Sequence, residues 1–250
     1  MSYYSDNAFY KYIRENSITN FEYHSGDTWQ LVYGNANAEP KLLVLVFAVK
    51  QERLLAPLNN DEKNAIQRMV EISRKSGLKF ISFRFNEETS LLQDVAIFTK
   101  KGPKIYPIQS LKDFYAKYGL PINELITTKN INDKSSSPYQ DWQRTHLGKD
   151  LKVIDLDLFK IYNEEIVAIY ELKRSYYDVE KWNPYPQDYN NFRMLFNLGQ
   201  LCKIPVYIAY NKRTKNPFND DISKIMTLRI SNNIPEFIER CYFEPEDFFK

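Results

Sequence analysis

Residues 42–49 read Leu-Leu-Val-Leu-Val-Phe-Ala-Val and stop at Lys50. The run is the best membrane-span candidate in the chain, yet a spanning helix needs about 20 apolar residues, so it reads as a strand of a globular domain. The start, Met1-Ser2-Tyr3-Tyr4-Ser5-Asp6, has neither a basic nor an apolar stretch and does not read as a secretory leader. The expectation is a soluble, cytoplasmic protein without a membrane partner. Nineteen tyrosines and 16 phenylalanines in 250 residues supply enough apolar area to offset chain entropy, which excludes a disordered chain and allows one large or two small domains.

Charge excludes less. Thirty-four Lys plus Arg against 32 Asp plus Glu leave a net charge of +2, so the chain is not a polycation that coats nucleic acid indiscriminately. Cys202 and Cys241 are too few for a disulfide framework, and His24 and His146 stand too far apart for a zinc site by spacing. Both cysteines are expected as buried thiols. Any metal would then be held by carboxylates, which points to magnesium or manganese.

Strand patterns at 29–34, 41–50, 79–85 and 94–99 alternate with helical ones near 61–76 and 111–118, a compact α/β unit. Asn60 or Asp61 serves as N-cap of the first helix and Ser76-Gly77 ends it. Residues 127–138 are small, polar and aperiodic, as an exposed linker is. The expected division is an α/β N-terminal domain over 1–127, a linker over 128–137 and a second domain over 138–250. In the latter a helix at 139–147 opens on Ser137 or Pro138, strands follow at 152–162 and 166–173, then a helix at 188–202 and a strand at 205–210. No internal repeat is evident.

The chemistry concentrates in Val153-Ile154-Asp155-Leu156-Asp157 and Tyr170-Glu171-Leu172-Lys173. Alternate residues of a strand share a face. A hairpin centred on Glu164 therefore sets Asp157 opposite Glu171 and Asp155 opposite Lys173, three carboxylates and an ammonium on one patch. Carboxylates that close raise one another's pKa or recruit a cation. A divalent metal on two of them would activate water, and the lysine could orient or help deprotonate that water and neutralise phosphate charge. On this view Glu171→Gln relieves repulsion and stabilises the fold.

Asp157, then Glu171-Leu172-Lys173 closing the next strand, then a helix and Ile204-Pro205-Val206-Tyr207, resembles the PD-(D/E)XK nuclease superfamily over about 137–211. The likeness is nearest to phage- and mobile-element-type nucleases, where a Tyr-x-x-Trp-x-Arg-x-x-Leu helix precedes an Asp-x-Asp strand, as Tyr139, Trp142, Arg144 and Leu147 precede Asp155 and Asp157. The resemblance implies a restriction-endonuclease-like mixed sheet flanked by helices in the C-terminal domain. It implies Mg2+ or Mn2+ on Asp157 and Glu171, Lys173 as catalytic lysine, Asp155 in support and DNA as substrate. An inactive binding module and a structure-specific or RNA-directed nuclease share that fold, and many such enzymes act as homodimers. Leu156 stands where the superfamily's proline would, no helical glutamate precedes the hairpin (Asp141 or His146 would substitute), and Gln187 or Gln200 could be the glutamine of the following helix.

Nucleic acid could also meet Arg144 and His146 ahead of the hairpin, Arg174 after it, and Lys212-Arg213 beyond the last strand. Tyr176, Tyr177, Trp182, Tyr185 and Tyr189, interspersed with Arg174, Lys181 and Arg193, either stack on unpaired bases or pack their own loop. The N-terminal domain carries no catalytic motif and suits DNA binding, oligomerisation or a protein partner.

Overall fold

The computed structural model describes residues 7–24, 26–122 and 137–250; the expected linker falls, except for Ser137, outside them. In chain order the elements are α1 (Ala8–Glu15), β1 (Phe21–Glu22), β2 (Thr28–Gly34), β3 (Pro40–Val49), α2 (Asn60–Ser76), β4 (Lys79–Asn86), β5 (Asp94–Thr99) and β6 (Gly102–Pro107). There follow α3 (Ser110–Lys117), α4 (Pro138–His146), β7 (Lys152–Asp155), β8 (Leu158–Tyr162), β9 (Glu165–Ser175) and α5 (Tyr189–Cys202). The chain closes with β10 (Val206–Lys215), β11 (Phe218–Arg229), β12 (Ile238–Phe243) and α6 (Pro245–Phe248). This is an α/β protein of two mixed six-stranded sheets with helices. No helix among the described residues is long and apolar enough to cross a membrane.

The division into compact units differs from the expected one. One unit is built on His24–Asp155; the other joins residues 7–23 to Leu156–Lys250. The helix α4 and the strand β7 therefore belong with the N-terminal half, and the predicted single strand over 152–162 is two strands of different sheets, broken at Leu156-Asp157. Helix α4 sits where it does because Tyr139, Trp142 and Leu147, spaced along one helical face, are core residues of the first unit.

In the first unit the sheet order is β6-β5-β4-β3-β2-β7, with β3 parallel to β4 and the other pairs antiparallel. The apolar run of β3 is central and buried on both faces, which is why it shows no alternation. Its parallel neighbour requires a crossover, supplied by α2. That helix starts at N-cap Asn59, one residue before the expected cap, with Glu62 completing a capping box, and it ends at Gly77 in the left-handed conformation at φ 74°. Over the other face Tyr33, Tyr115 and Tyr139 join hydroxyls at 2.5 Å and 2.8 Å. Since Tyr33 donates to Gln143 Oε1 at 2.8 Å, Tyr139 must donate to Tyr33 and Tyr115 to Tyr139, so every buried hydroxyl proton is used. Burial foremost holds all three hydroxyls well above the usual tyrosine pKa.

The second unit has the order β1-β8-β9-β10-β11-β12, with β9 and β10 parallel and joined by α5. The β8–β9 turn places Asn163 and Glu164 at φ 48° and 66°, the double positive φ that suits a tight hairpin. Gly199 allows α5 its close approach to the strand, because a Cβ there would meet Val206 Cγ2 at 2.5 Å and the Ile204 carbonyl at 2.8 Å. Phe9, Phe21, Leu158, Tyr170, Phe248 and Phe249 share the core, so α1 and α6 are both tied into this unit. Cys202 is buried as expected, whereas Cys241 lies exposed on β12; both are free thiols.

The two sheets share one connectivity that the sequence does not display: a hairpin, a helical crossover to a parallel strand, and an antiparallel meander. It runs β2-β3-α2-β4-β5-β6 in one unit and β8-β9-α5-β10-β11-β12 in the other.

Candidate active site

Along β8 and β9, Leu158 faces Tyr170, Phe159 faces Ile169 and Lys160 faces Ala168, while a bulge at Lys160/Ile161 shifts the turn end by one residue. Carried one residue beyond Leu158, this register sets Asp157 opposite Glu171, as the spacing predicts. The Asp157 carboxylate accepts the Leu172 N–H at 2.8 Å, and its backbone carbonyl accepts the Tyr10 hydroxyl at 3.0 Å. Glu171 is buried at 7% exposure. Its Oε1 lies 2.9 Å from Lys173 Nζ, which also stands 3.8 Å from the Asp188 carboxylate and 5.6 Å from the Phe192 ring centre. Burial alone would lower the Lys173 pKa. Glu171, then Asp188 and Asp157, outweigh it and hold the ammonium above the usual lysine range.

Asp155 does not join this group in the way expected. It pairs with Leu31 at the end of β7, in the first unit's sheet, because the chain changes sheets between Asp155 and Leu158. The carboxylate that sequence reasoning missed is Asp188, immediately before α5. A crossover helix begins near the end of the strand it leaves, so the residues that open α5 come back beside Lys173.

Among the described residues no three His, Cys, Asp or Glu side chains gather closely enough to cage a metal by themselves. Asp157 and Glu171 still fit a hard cation, since magnesium commonly takes one or two carboxylates and completes its octahedron with water and phosphate oxygens.

Arg174 and Lys212, expected on nucleic acid, are paired within their unit: Arg174 to Asp220 at 2.7 Å and Lys212 to Asp178 at 2.6 Å. Arg213 is half-buried on β10 opposite Asp220. Arg144 and His146 belong to the first unit, where His146 Nδ1 lies 3.1 Å from the Trp142 carbonyl and the two rings stack. The aromatic segment divides. Trp182 is core, stacked on Tyr210 at 4.2 Å; Tyr185 packs edge-on against Trp182, and Tyr189 contacts Phe237. Tyr176 and Tyr177 are exposed and stack on each other at 4.6 Å. Gln187 and Gln200 are both exposed, and Asp141 sits exposed on α4.

No protein-family model matches the chain, and no curated protein matches it either. Its own first unit offers a comparison. As Asp157 immediately precedes β8, Asp27 immediately precedes β2; the β2–β3 register carried one residue on sets Asp27 opposite Ala48, whose N–H donates to the Asp27 carbonyl at 2.8 Å. The positions corresponding to Glu171 and Lys173 are thus Ala48 and Lys50. At these matching positions the first unit carries an aspartate and a lysine, with alanine in place of the carboxylate between them.

Asp27 carries a cost of its own. Its Oδ1 is buried without a hydrogen-bond partner among the described residues, and burial, then the charge of Glu87, raises its pKa. A carboxyl whose folded pKa is raised favours the fold below its unfolded pKa and loses that contribution as pH rises through the folded value. Asp27→Asn should therefore raise the melting temperature at pH 7, with the gain shrinking toward about pH 3.5. Melting curves at both pH values test it, and a lower melting temperature at pH 7 would refute it.

The Glu171–Lys173 contact reverses the expected sign of Glu171→Gln. The amide cannot compensate the Lys173 ammonium, so a loss of about 1.5–3 kcal/mol is expected, the range for a charged hydrogen bond. Denaturant midpoints for Glu171→Gln and Lys173→Gln would show comparable losses; a stabilised Glu171→Gln would contradict the contact.

Proposed function

We propose that the second unit is a metal-dependent nuclease of PD-(D/E)XK type with a restriction-endonuclease-like sheet, hydrolysing DNA phosphodiester bonds. The observation that carries this reading is the meeting of Asp157, Glu171 and Lys173 at the carboxyl end of β9, beside the parallel β9–β10 pair and its crossover helix. Open α/β sheets bind ligands at the carboxyl ends of their strands. Asp157 and Glu171 would hold Mg2+ or Mn2+, which when bound lowers the pKa of its water and polarises phosphoryl oxygen.

Lys173, kept charged by three carboxylates, neutralises charge developing on the phosphate and orients the attacking water rather than taking its proton. Asp188 holds the ammonium in place from the second side. The exposed Tyr176–Tyr177 pair, just past the end of β9, gives an unpaired base a stacking surface.

Incubation of purified protein with circular single-stranded and supercoiled DNA in Mg2+, Mn2+ or EDTA, beside Lys173→Ala, tests the reading. Cleavage that requires metal and Lys173 supports it. Absence of cleavage on circular, linear and branched substrates, with no metal-induced rise in melting temperature, would replace it with a non-catalytic binding module.

A further inference from the structure

Two cations compete for Glu171. Its Oε1 holds the Lys173 ammonium at 2.9 Å in a charge-assisted hydrogen bond, and the same carboxylate is one of the two that fit a metal. A divalent ion on that carboxylate would stand beside the ammonium, and like charges at such range repel. Lys173 is three-quarters buried, so an ammonium that lost its acceptor without gaining another would be costly.

Helix α5 supplies a second acceptor. Asp188 stands at its N-cap, where an aspartate ordinarily accepts an N–H from the first turn, yet the side chain makes no capping bond. Its Oδ2 lies instead 3.8 Å from Lys173 Nζ, an ion pair roughly 1 Å too long for a charged hydrogen bond. The positive end of the α5 dipole favours the ionised form of this carboxyl. Phe192, four residues on and therefore on the same helical face, sets its ring centre 5.6 Å from the ammonium. That ring is fully buried and meets Phe237 edge-on, which makes it a fixed wall. Lys173 is thus bonded to Glu171 with a second carboxylate within a short swing along an aromatic face.

We propose that Asp188 is a positioning residue that receives the Lys173 ammonium when Glu171 turns to the metal, so that metal binding and placement of the lysine are coupled. The proposal deepens the nuclease reading and rests on Asp157 and Glu171 as the metal's carboxylates. In the metal-free protein Lys173 closes on Glu171. With metal bound, Lys173 sits on Asp188 and against Phe192, keeps its charge and stands ready for the phosphate. Asp188 touches neither metal nor substrate and acts through the lysine. The competing arrangement has Glu171 keep Lys173 on Oε1 while giving Oε2 to the metal, which leaves Asp188 idle.

The test is the Mn2+ concentration that gives half of the metal-dependent rise in melting temperature, measured on the full-length protein without DNA. Asp188→Asn should raise that concentration about ten-fold or more, the cost typical of losing a group behind a metal ligand, and Asp188→Glu should restore most of the difference. Without metal, Asp188→Asn should melt near the wild-type temperature, because the Glu171–Lys173 bond is kept. Lys173→Ala should need no more Mn2+ than wild type, and Asp188→Asn added to it should have little further effect, since no ammonium is left to receive. An equal loss in the two backgrounds would overturn the proposal, because Asp188 would then act on the metal itself. Wild-type affinity in Asp188→Asn would overturn it too, as the sign that Glu171 shares its two oxygens. In cleavage at saturating Mn2+, Asp188→Asn should lower kcat and leave KM for DNA unchanged, whereas a change in KM alone would count against a misplaced lysine. A wild-type protein with no metal-dependent rise overturns the proposal together with the metal reading beneath it; wild-type metal binding with an idle Asp188 leaves that reading intact.

Discussion

Lys173→Ala should lower metal-dependent cleavage by about 10²–10³-fold, the loss typical when one preorganised charge-stabilising donor is removed. Asp157→Ala and Glu171→Ala should fall at least as far, and should also abolish any Mg2+- or Mn2+-dependent rise in melting temperature, because a ligand that binds only the folded state stabilises it by mass action. Lys173→Ala would keep that rise, since its side chain is a cation and no metal ligand. This split separates a catalytic lysine from a structural one. Lys173→Ala also exposes Glu171 to the cost of a buried carboxylate without its 2.9 Å partner, so some stability must be lost. Activity is therefore compared well below the melting temperature, with Lys173→Arg as the charge-preserving variant. If Lys173→Arg and Lys173→Ala lose stability alike but cleave at the wild-type rate, the ion pair holds the fold and the catalytic assignment fails.

What the sequence disclosed about this site was its local pairing. The turn at Asn163-Glu164 fixes a hairpin, and the bulge at Lys160/Ile161 shifts its register by one residue, so that Asp157 falls opposite Glu171 and on the face shared by Lys173. Longer-range relations were not legible. Asp155 and Asp157 look like one strand face in sequence, yet hydrogen-bonding with Leu31, some 120 residues earlier, draws Asp155 into another sheet. Tyr139, Trp142 and Leu147 resemble a nuclease helix by spacing, but that spacing is equally a helix packing its apolar side on β2, β3 and β4. The repeated connectivity was invisible because topology tolerates wholesale exchange of residues: β3 is apolar from Leu42 to Val49, whereas the corresponding β9 carries Glu171 and Lys173.

Arg84→Ala should cost the first unit about 3–5 kcal/mol, the range for removing one partner of a buried ion pair. Arg84 lies within β4 at 0% exposure, where the alternating apolar pattern of 79–85 gave no sign that a charge is indispensable. Its guanidinium grips Glu62 through Nε at 2.8 Å and Nη2 at 2.7 Å, while Nη1 donates to the carbonyls of Arg53 and Ala56, each at 2.6 Å. One side chain thus joins β4, the N-terminus of α2 and the segment between β3 and α2. Glu62 also accepts the Asn59 N–H in the capping box, so losing Arg84 disturbs the cap as well. Arg84→Lys should recover only part of the loss, because an ammonium cannot reproduce the planar fork. The double variant Arg84→Met, Glu62→Leu removes both charges and should be less destabilised than the sum of its single changes, the coupling expected for two groups in contact. Denaturant unfolding followed by the fluorescence of Trp29 and Trp142 in the first unit, and separately of Trp182 in the second, would locate the damage. If Arg84→Ala shifts both sets of signals equally, or neither, Arg84 is not the internal brace of the first unit that its contacts describe.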